Sequence, residues 1–253
     1  MTSRELDAYF RAFLDLEGFL QIDSSLNGIQ VDNNGADITK VAFAVDACME
    51  SFIRAAECGA GMLFTHHGLY WGSPIRIAGE FRTRIEYLLK NNLALYAVHL
   101  PLDQNPERGN NAVLAEKLGI KNPLPFGLYH GRKIGYKGSL AESLSLNDAV
   151  SRISFMGRPP AVILPFGKKI NESCAVVSGG AAMEAMQAME EGIDLYVTGE
   201  TSHSIYHLAQ EGRINIIAGG HYSTEVWGMR KVMECLAAEL GLDVEFIDLP
   251  TGL

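Results

Sequence analysis

Cysteine is scarce in this chain of 253 residues, and the four present, Cys48, Cys58, Cys174 and Cys235, form no CxxC pair. Such scatter excludes a disulfide framework and a zinc knuckle, and it fits reduced structural cysteines. Basic residues are also in deficit: 21 Lys and Arg stand against 30 Asp and Glu, for a formal charge of -9. That balance repels phosphate backbones and so disfavours nonspecific nucleic-acid binding. A long apolar run is missing at the N-terminus, where MTSRELDAYFRAFLDL mixes charges into its apolar positions. Neither a signal peptide nor a membrane span is therefore expected, and the cytoplasm is the default compartment. Tandem repeats and low-complexity segments are absent as well.

What is present is ample apolar material. At 47% hydrophobic residues, the chain can bury a sizeable core, and its length suits one large or two ordinary domains, with two lobes the better expectation. Leu6, Tyr9, Phe10, Phe13 and Leu14 recur at helical spacing behind Thr2 and Ser3, which predicts a capped amphipathic helix. The stretch SSLNGIQVDNNGAD reads as turn-rich. From Lys40 onward strands and helices alternate: VAFAVD, then MESFIRAAECG, MLFTHH, a helix near residues 80–91, LALYAVH, and a helix near 111–118. That is the alternation of an α/β sheet covered by helices. Proline and glycine at residues 123–127 break the rhythm and suggest a crossing into a second lobe. AVILPFG and CAVVSGG then read as strands, AAMEAMQAMEEG as a helix and DLYVTGE as a strand. INIIAGGH, a helix near 224–240 and the strand VEFIDL finish the chain.

Three clusters carry chemistry, each just past an apolar strand, where the loops of open α/β sheets bind ligands. His66 and His67 follow MLFT, and adjacent histidines leaving a strand diverge, so each could serve a different ion; Gly68 would permit a close approach. Alone, the pair reads equally as surface or capping histidines. His99 and Asp103 lie in VHLPLD across a Pro-containing turn, with Asp103 a candidate ligand, His99 an orienting or proton-handling neighbour, and a turn or cap the alternative. His221 and Glu225, in GGHYSTE, fall one turn apart on one face if a helix starts there, although Ser223 or Thr224 could instead cap it, leaving Glu225 a first-turn acid. Taken together, three histidines and two carboxylates at strand ends suit a pair of zinc, iron or manganese ions, and such a pair points to hydrolysis.

Weaker signals accompany these. Ser178-Gly179-Gly180 could cradle a phosphate or simply turn the chain, and the amides at Arg108-Gly109-Asn110-Asn111 could hold an anion where a helix opens. Glu200 with His203 is a candidate acid or base pair, His207 reads as a surface or packing histidine, and Tyr70 and Trp71 either stack on a flat heterocycle or pack in the core.

LNGIQV, THHGLYW, LYAVHLPLDQNPERGNNAVLAEKLGI, TGE and GHYSTE together resemble the dinuclear metal centre proteins, also called GTP cyclohydrolase 1 type 2 homologues or Nif-three-like proteins. The resemblance covers nearly the whole chain. It implies metal ligands at His66, His67, Asp103, His221 and Glu225, and departs at Tyr222, where bacterial relatives carry a second histidine. It further implies two α/β lobes with two divalent ions per subunit in the cleft between them. The first lobe would span 1–126 with the returning segment 220–253, and the second 127–219. Also implied is a homohexameric toroid of stacked trimers. The activity expected is that of a metal-dependent hydrolase acting on a nucleotide-like or other small heterocyclic or phosphate substrate, with His99 and Glu200 as candidate proton handlers. A non-catalytic, metal-binding, ring-forming scaffold or regulatory protein is the competing expectation.

Overall fold

The computed structural model describes residues 1–253, with Phe155 described by its backbone alone. The chain forms two compact units, Met1–Asn105 with Met229–Leu249, and Pro106–Gly228 with Pro250–Leu253.

The first unit opens with α1 (Ser3–Arg11), started by a reciprocal cap in which Thr2 Oγ1 accepts from Glu5 N and the Glu5 carboxylate accepts from Thr2 N. There follow β1 (Gly28–Val31), β2 (Lys40–Asp46), α2 (Met49–Glu57), β3 (Met62–His67), α3 (Gly79–Lys90), β4 (Ala94–Ala97) and α4 (Leu100–Gln104). β2, β3 and β4 run parallel, and β1 lies antiparallel to β4 at one edge. Parallel strands joined by crossover helices are covered on both faces, which is why β3 reads as an unbroken apolar run and is buried up to His66. On one face Phe43, Phe64 and Tyr96 meet Phe10 of α1, whose ring centroid lies 4.8 Å from Phe64 and 4.9 Å from Tyr96. On the other, Leu63 and Leu95 pack with Phe52, Ala55 and Leu88 from α2 and α3. Burying each such large side chain contributes about 1.5–3 kcal/mol.

The second unit holds α5 (Asn110–Leu118), β5 (Ile120–Tyr129), β6 (Arg132–Leu144), α6 (Leu146–Ile153), β7 (Val162–Pro165), β8 (Asn171–Val177), α7 (Ala185–Glu190), β9 (Leu195–Thr198), α8 (His203–Glu211) and β10 (Asn215–Ala218). Its sheet runs β5-β6-β8-β9-β10-β7, with β8, β9 and β10 parallel and the outer pairings antiparallel. Leu114 and Leu118 of α5 and Ala149 and Ile153 of α6 pack with Val176, Val197 and Ile217 of the strands. The unit boundary then falls inside α9 (His221–Leu240), after which β11 (Asp243–Phe246) pairs parallel with β2 in the first sheet.

Several local readings change. The compact units divide at Asn105 and again at Gly228, while residues 123–127 sit inside β5, a long hairpin strand paired with β6. Pro125 is tolerated there because β5 is an edge strand, and the register shift between Lys121 and Leu124 absorbs the irregularity. Within the turn-rich stretch GIQV forms β1, HLPLD continues as the short helix α4 rather than a turn, and AAMEAMQAMEEG keeps only α7 as helix. All four cysteines are free. Among the described residues no helix is long and apolar enough to cross a membrane.

Candidate metal centre

In the first unit the carboxyl ends of β2, β3 and β4 lie side by side, because Asp46 registers with His67 and Thr65 with Ala97. His66 is fully buried, and its Nδ1 lies 2.9 Å from the Val98 carbonyl oxygen. A carbonyl only accepts, so Nδ1 carries a proton and donates, which puts Nε2 on the side of Asp103, whose Oδ2 is 3.4 Å away. His67 Nδ1 donates to Asp46 Oδ1 at 2.8 Å, and His99 Nδ1 to Asp23 Oδ1 at 2.9 Å. One ligand atom from each of His66, His67 and His99 lies within 4.8 Å of the others.

Asp23 is itself tightly held. Ser25 N and Leu100 N donate to it at 2.9 and 3.0 Å, and Asn27 Nδ2 donates at 2.9 Å. Burial pushes its carboxyl up, but the hydrogen bonds and charge of His99, with Asn27 and Ser25, outweigh burial and hold it below the usual range.

The second unit repeats this arrangement on different residues. Val177, Thr198 and Ala218 end the parallel strands β8, β9 and β10, and from these ends leave Gly179, Glu200 and His221. His221 Nδ1 donates to Glu200 Oε1 at 2.5 Å, and its Nε2 lies 3.2 Å from Glu225 Oε1, one helical turn on. Burial disfavours the imidazolium, yet Glu225 and then Glu200 overcome it and push the His221 pKa up to about 9. A site that holds a proton so firmly between two carboxylates favours cations.

Glycine makes room here. At Gly179, where φ is +66°, a Cβ would collide with Glu225 Oε1 and stand 3.3 Å from His221 Nε2. At Gly199 a Cβ would come within 2.8 Å of the His221 Cα. Imidazole nitrogens beside carboxylate oxygens, each histidine oriented through its other nitrogen, fit a borderline divalent ion such as zinc, iron or manganese.

The structure thus gathers His66, His67, His99 and Asp103 in one unit, and His221, Glu225 and Glu200 in the other. Glu200 is engaged with His221, whereas His203 is exposed at the start of α8 and His207 is exposed further along it. One suggested anion site is already used internally: the Ser178 amide donates to Asn111 Oδ1 and the Gly179 amide to Thr224 Oγ1. The close approach at Gly68 is made by Gln30, whose Oε1 also accepts from Leu69 N at 2.6 Å. Tyr70 packs on Phe81. Sequence reasoning missed Asp23 and Asp46; the only available signal was an acid ending one strand beside histidines ending another.

A family model described as Duf34/NIF3 (NGG1p interacting factor 3) matches residues 1–251. A Treponema pallidum protein named "GTP cyclohydrolase 1 type 2 homolog" is 42% identical, with 100% of each chain covered. One of the same name from Archaeoglobus fulgidus is 43% identical over 94% of this chain and 96% of its own. Among solved structures, TTHA1606 from Thermus thermophilus superposes with a TM-score of 0.90 at 36% identity, covering 100% of both chains.

Proposed function

Because the chain belongs to the Duf34/NIF3 family, we propose that it holds two divalent metal ions per subunit through His66, His67, Asp103, His221 and Glu225, and acts as a metal-dependent hydrolase. The observation that supports this reading is shared by four histidines: in His66, His67, His99 and His221 alike, Nδ1 meets an oxygen acceptor, the kind of partner that orients a metal-ligating imidazole, so that Nε2 is the atom a cation would take. Surface or packing histidines have no reason to share one orientation. Two ions held by such donors supply Lewis acidity for a hydrolytic displacement. The residues themselves would orient the ions, with Asp103 and Glu225 offsetting their charge. His99 is proposed to handle a proton at Nε2, since Asp23 fixes its Nδ1. Glu200 is the second candidate, acting on or through His221.

The substrate class proposed is a nucleotide-like or other small heterocyclic or phosphate compound, in keeping with the relatives' names. A cytoplasmic homohexamer is the assembly proposed with it. Metal analysis of protein purified without chelator, followed by reconstitution with zinc, manganese or iron(II), should give close to two ions per chain, and His66→Ala should lower that count. No uptake of any of these metals would sink the proposal. A hydrolase screen with nucleotides, phosphodiesters and cyclised heterocycles, run on wild type and Glu225→Ala, separates enzyme from scaffold. Turnover lost with the oligomer intact marks an enzyme, while loss of the assembly alone marks a metal-stabilised scaffold.

A further inference from the structure

We propose that His203 and His207 of α8 form a separate metal site, an exposed two-histidine chelate that takes a late first-row divalent ion such as nickel, copper or zinc. It goes beyond the metal-centre reading and does not rest on it, since none of the residues proposed for that centre takes part. Residues one helical turn apart have Cβ atoms about 5–6 Å from each other on one face, so histidines at i and i+4 can close on a single ion. Helices that bind zinc through two histidines use the same spacing.

Both histidines lie inside α8, which spans His203–Glu211. The side that anchors this helix is the opposite one. Ile205 and Ala209 are fully buried, whereas His203 and His207 are exposed. With 3.6 residues per turn, the histidine pair stands about 160° round the helix from that buried stripe, which excludes a packing role and leaves both imidazoles in solvent. Their nitrogens are uncommitted as well. At the metal centre each Nδ1 meets an oxygen, but among the described residues neither ring of this pair has a hydrogen bond or an ion pair. A neutral imidazole in that state offers its lone pair to a cation.

His207 is also restrained. Its ring stands 5.3 Å from Tyr206 at an interplanar angle of 84°, and Tyr206 in turn meets Phe166 edge-on at 5.1 Å. A side chain already held by neighbours loses less freedom when it binds. Two imidazoles suit nickel, copper or zinc, whereas calcium and magnesium require oxygen donors. The formal charge of -9 further favours the approach of a cation.

The first test is retention of untagged protein on immobilised nickel, which reads only the ligands that can reach a resin. Wild type should be retained, and His203→Ala and His207→Ala should each elute at a clearly lower imidazole concentration, with circular dichroism confirming an unchanged fold. His130→Ala is the control, because His130 is exposed in the turn between β5 and β6 and has no histidine one helical turn away. Its removal should leave retention as it was. In solution, protein whose proposed centre has first been saturated with zinc should take up one further zinc ion by calorimetry. Either substitution in α8 should abolish that uptake and leave the zinc content before titration unchanged. Wild type that is not retained, no further uptake, retention that survives His207→Ala, or an equal loss in His130→Ala overturns the chelate. Failure of the metal-centre reading shows separately, as a low zinc content before titration, and the resin experiment still decides the exposed site.

Discussion

Asp46 and His67 stand opposite each other at the last paired position of β2 and β3, and Asp46 Oδ1 accepts the His67 Nδ1 proton at 2.8 Å. The parallel register alone brings them together across 20 intervening residues of chain. The acid fixes both the tautomer and the direction of a candidate ligand, and it is partly exposed, so its removal should spare the fold.

Asp46→Ala is accordingly expected to weaken metal binding by roughly 10–100-fold while shifting the melting temperature little. Competition with a chromophoric chelator measures the first and thermal denaturation the second. Asp46→Asn, which keeps an accepting oxygen, should lose less. Unchanged affinity in Asp46→Ala would remove the orienting role.

Gly179→Ala should abolish or strongly reduce metal uptake at the His221 and Glu225 side, because its Cβ would occupy the space of the Glu225 carboxylate. It also places a side chain at φ +66°, at a cost of about 1–2 kcal/mol. Gly59→Ala separates the two effects, since Gly59 has φ +77° with nothing within 4 Å of the added Cβ. The Gly59 variant should share the loss of stability and keep its metal.

Asn111 is fully buried and spans two elements, with Oδ1 accepting from Ser178 N at 2.7 Å and Nδ2 donating to Ile134 O at 2.9 Å. Asn111→Ala strands both backbone groups and should destabilise the chain by about 2–4 kcal/mol in urea unfolding, each stranded group costing on the order of 1–3 kcal/mol. It should also loosen the Ser178-Gly179 loop and weaken metal binding.

Acid sensitivity should trace in part to Asp194. Burial pushes its carboxyl up, but Lys168 Nζ at 2.7 Å and the amides of Glu172 and Ser173 hold it below the usual aspartate value. A depressed folded-state pKa means that this stabilisation is complete above the unfolded value of about 3.9 and is lost as the pH falls through the lower folded value. Asp194→Asn is expected to cost about 1–3 kcal/mol at pH 7 and to flatten the decline of stability below about pH 4. Equal acid slopes for the two proteins would exclude Asp194 as a source.

The candidate ligands were legible because strand-end histidines and acids are local features: MLFTHH, VHLPLD and INIIAGGH each announce a strand together with the polar residues at its end. The capped first helix was legible for the same reason, since Thr2, Glu5, Leu6 and Phe10 act within three turns. β1 was hidden because it is a four-residue edge strand with a bulge, flanked by turn-forming residues. The β5 and β6 hairpin was hidden by Pro123, Pro125 and Gly127, which an edge strand tolerates and a sequence pattern does not. Asp23 was hidden in a turn, and only the fold aims it at His99 across 76 positions.

Residue type and short-range period are enough to establish the α/β alternation, the acidic and cysteine-poor character and which strand-end histidines and acids are candidate donors. They say nothing of which nitrogen of each histidine is tied down, which acids tie it, or where glycine alone leaves room. Those outcomes arise on folding, because they depend on strand register and on contacts between distant segments, for which no local spacing is a surrogate.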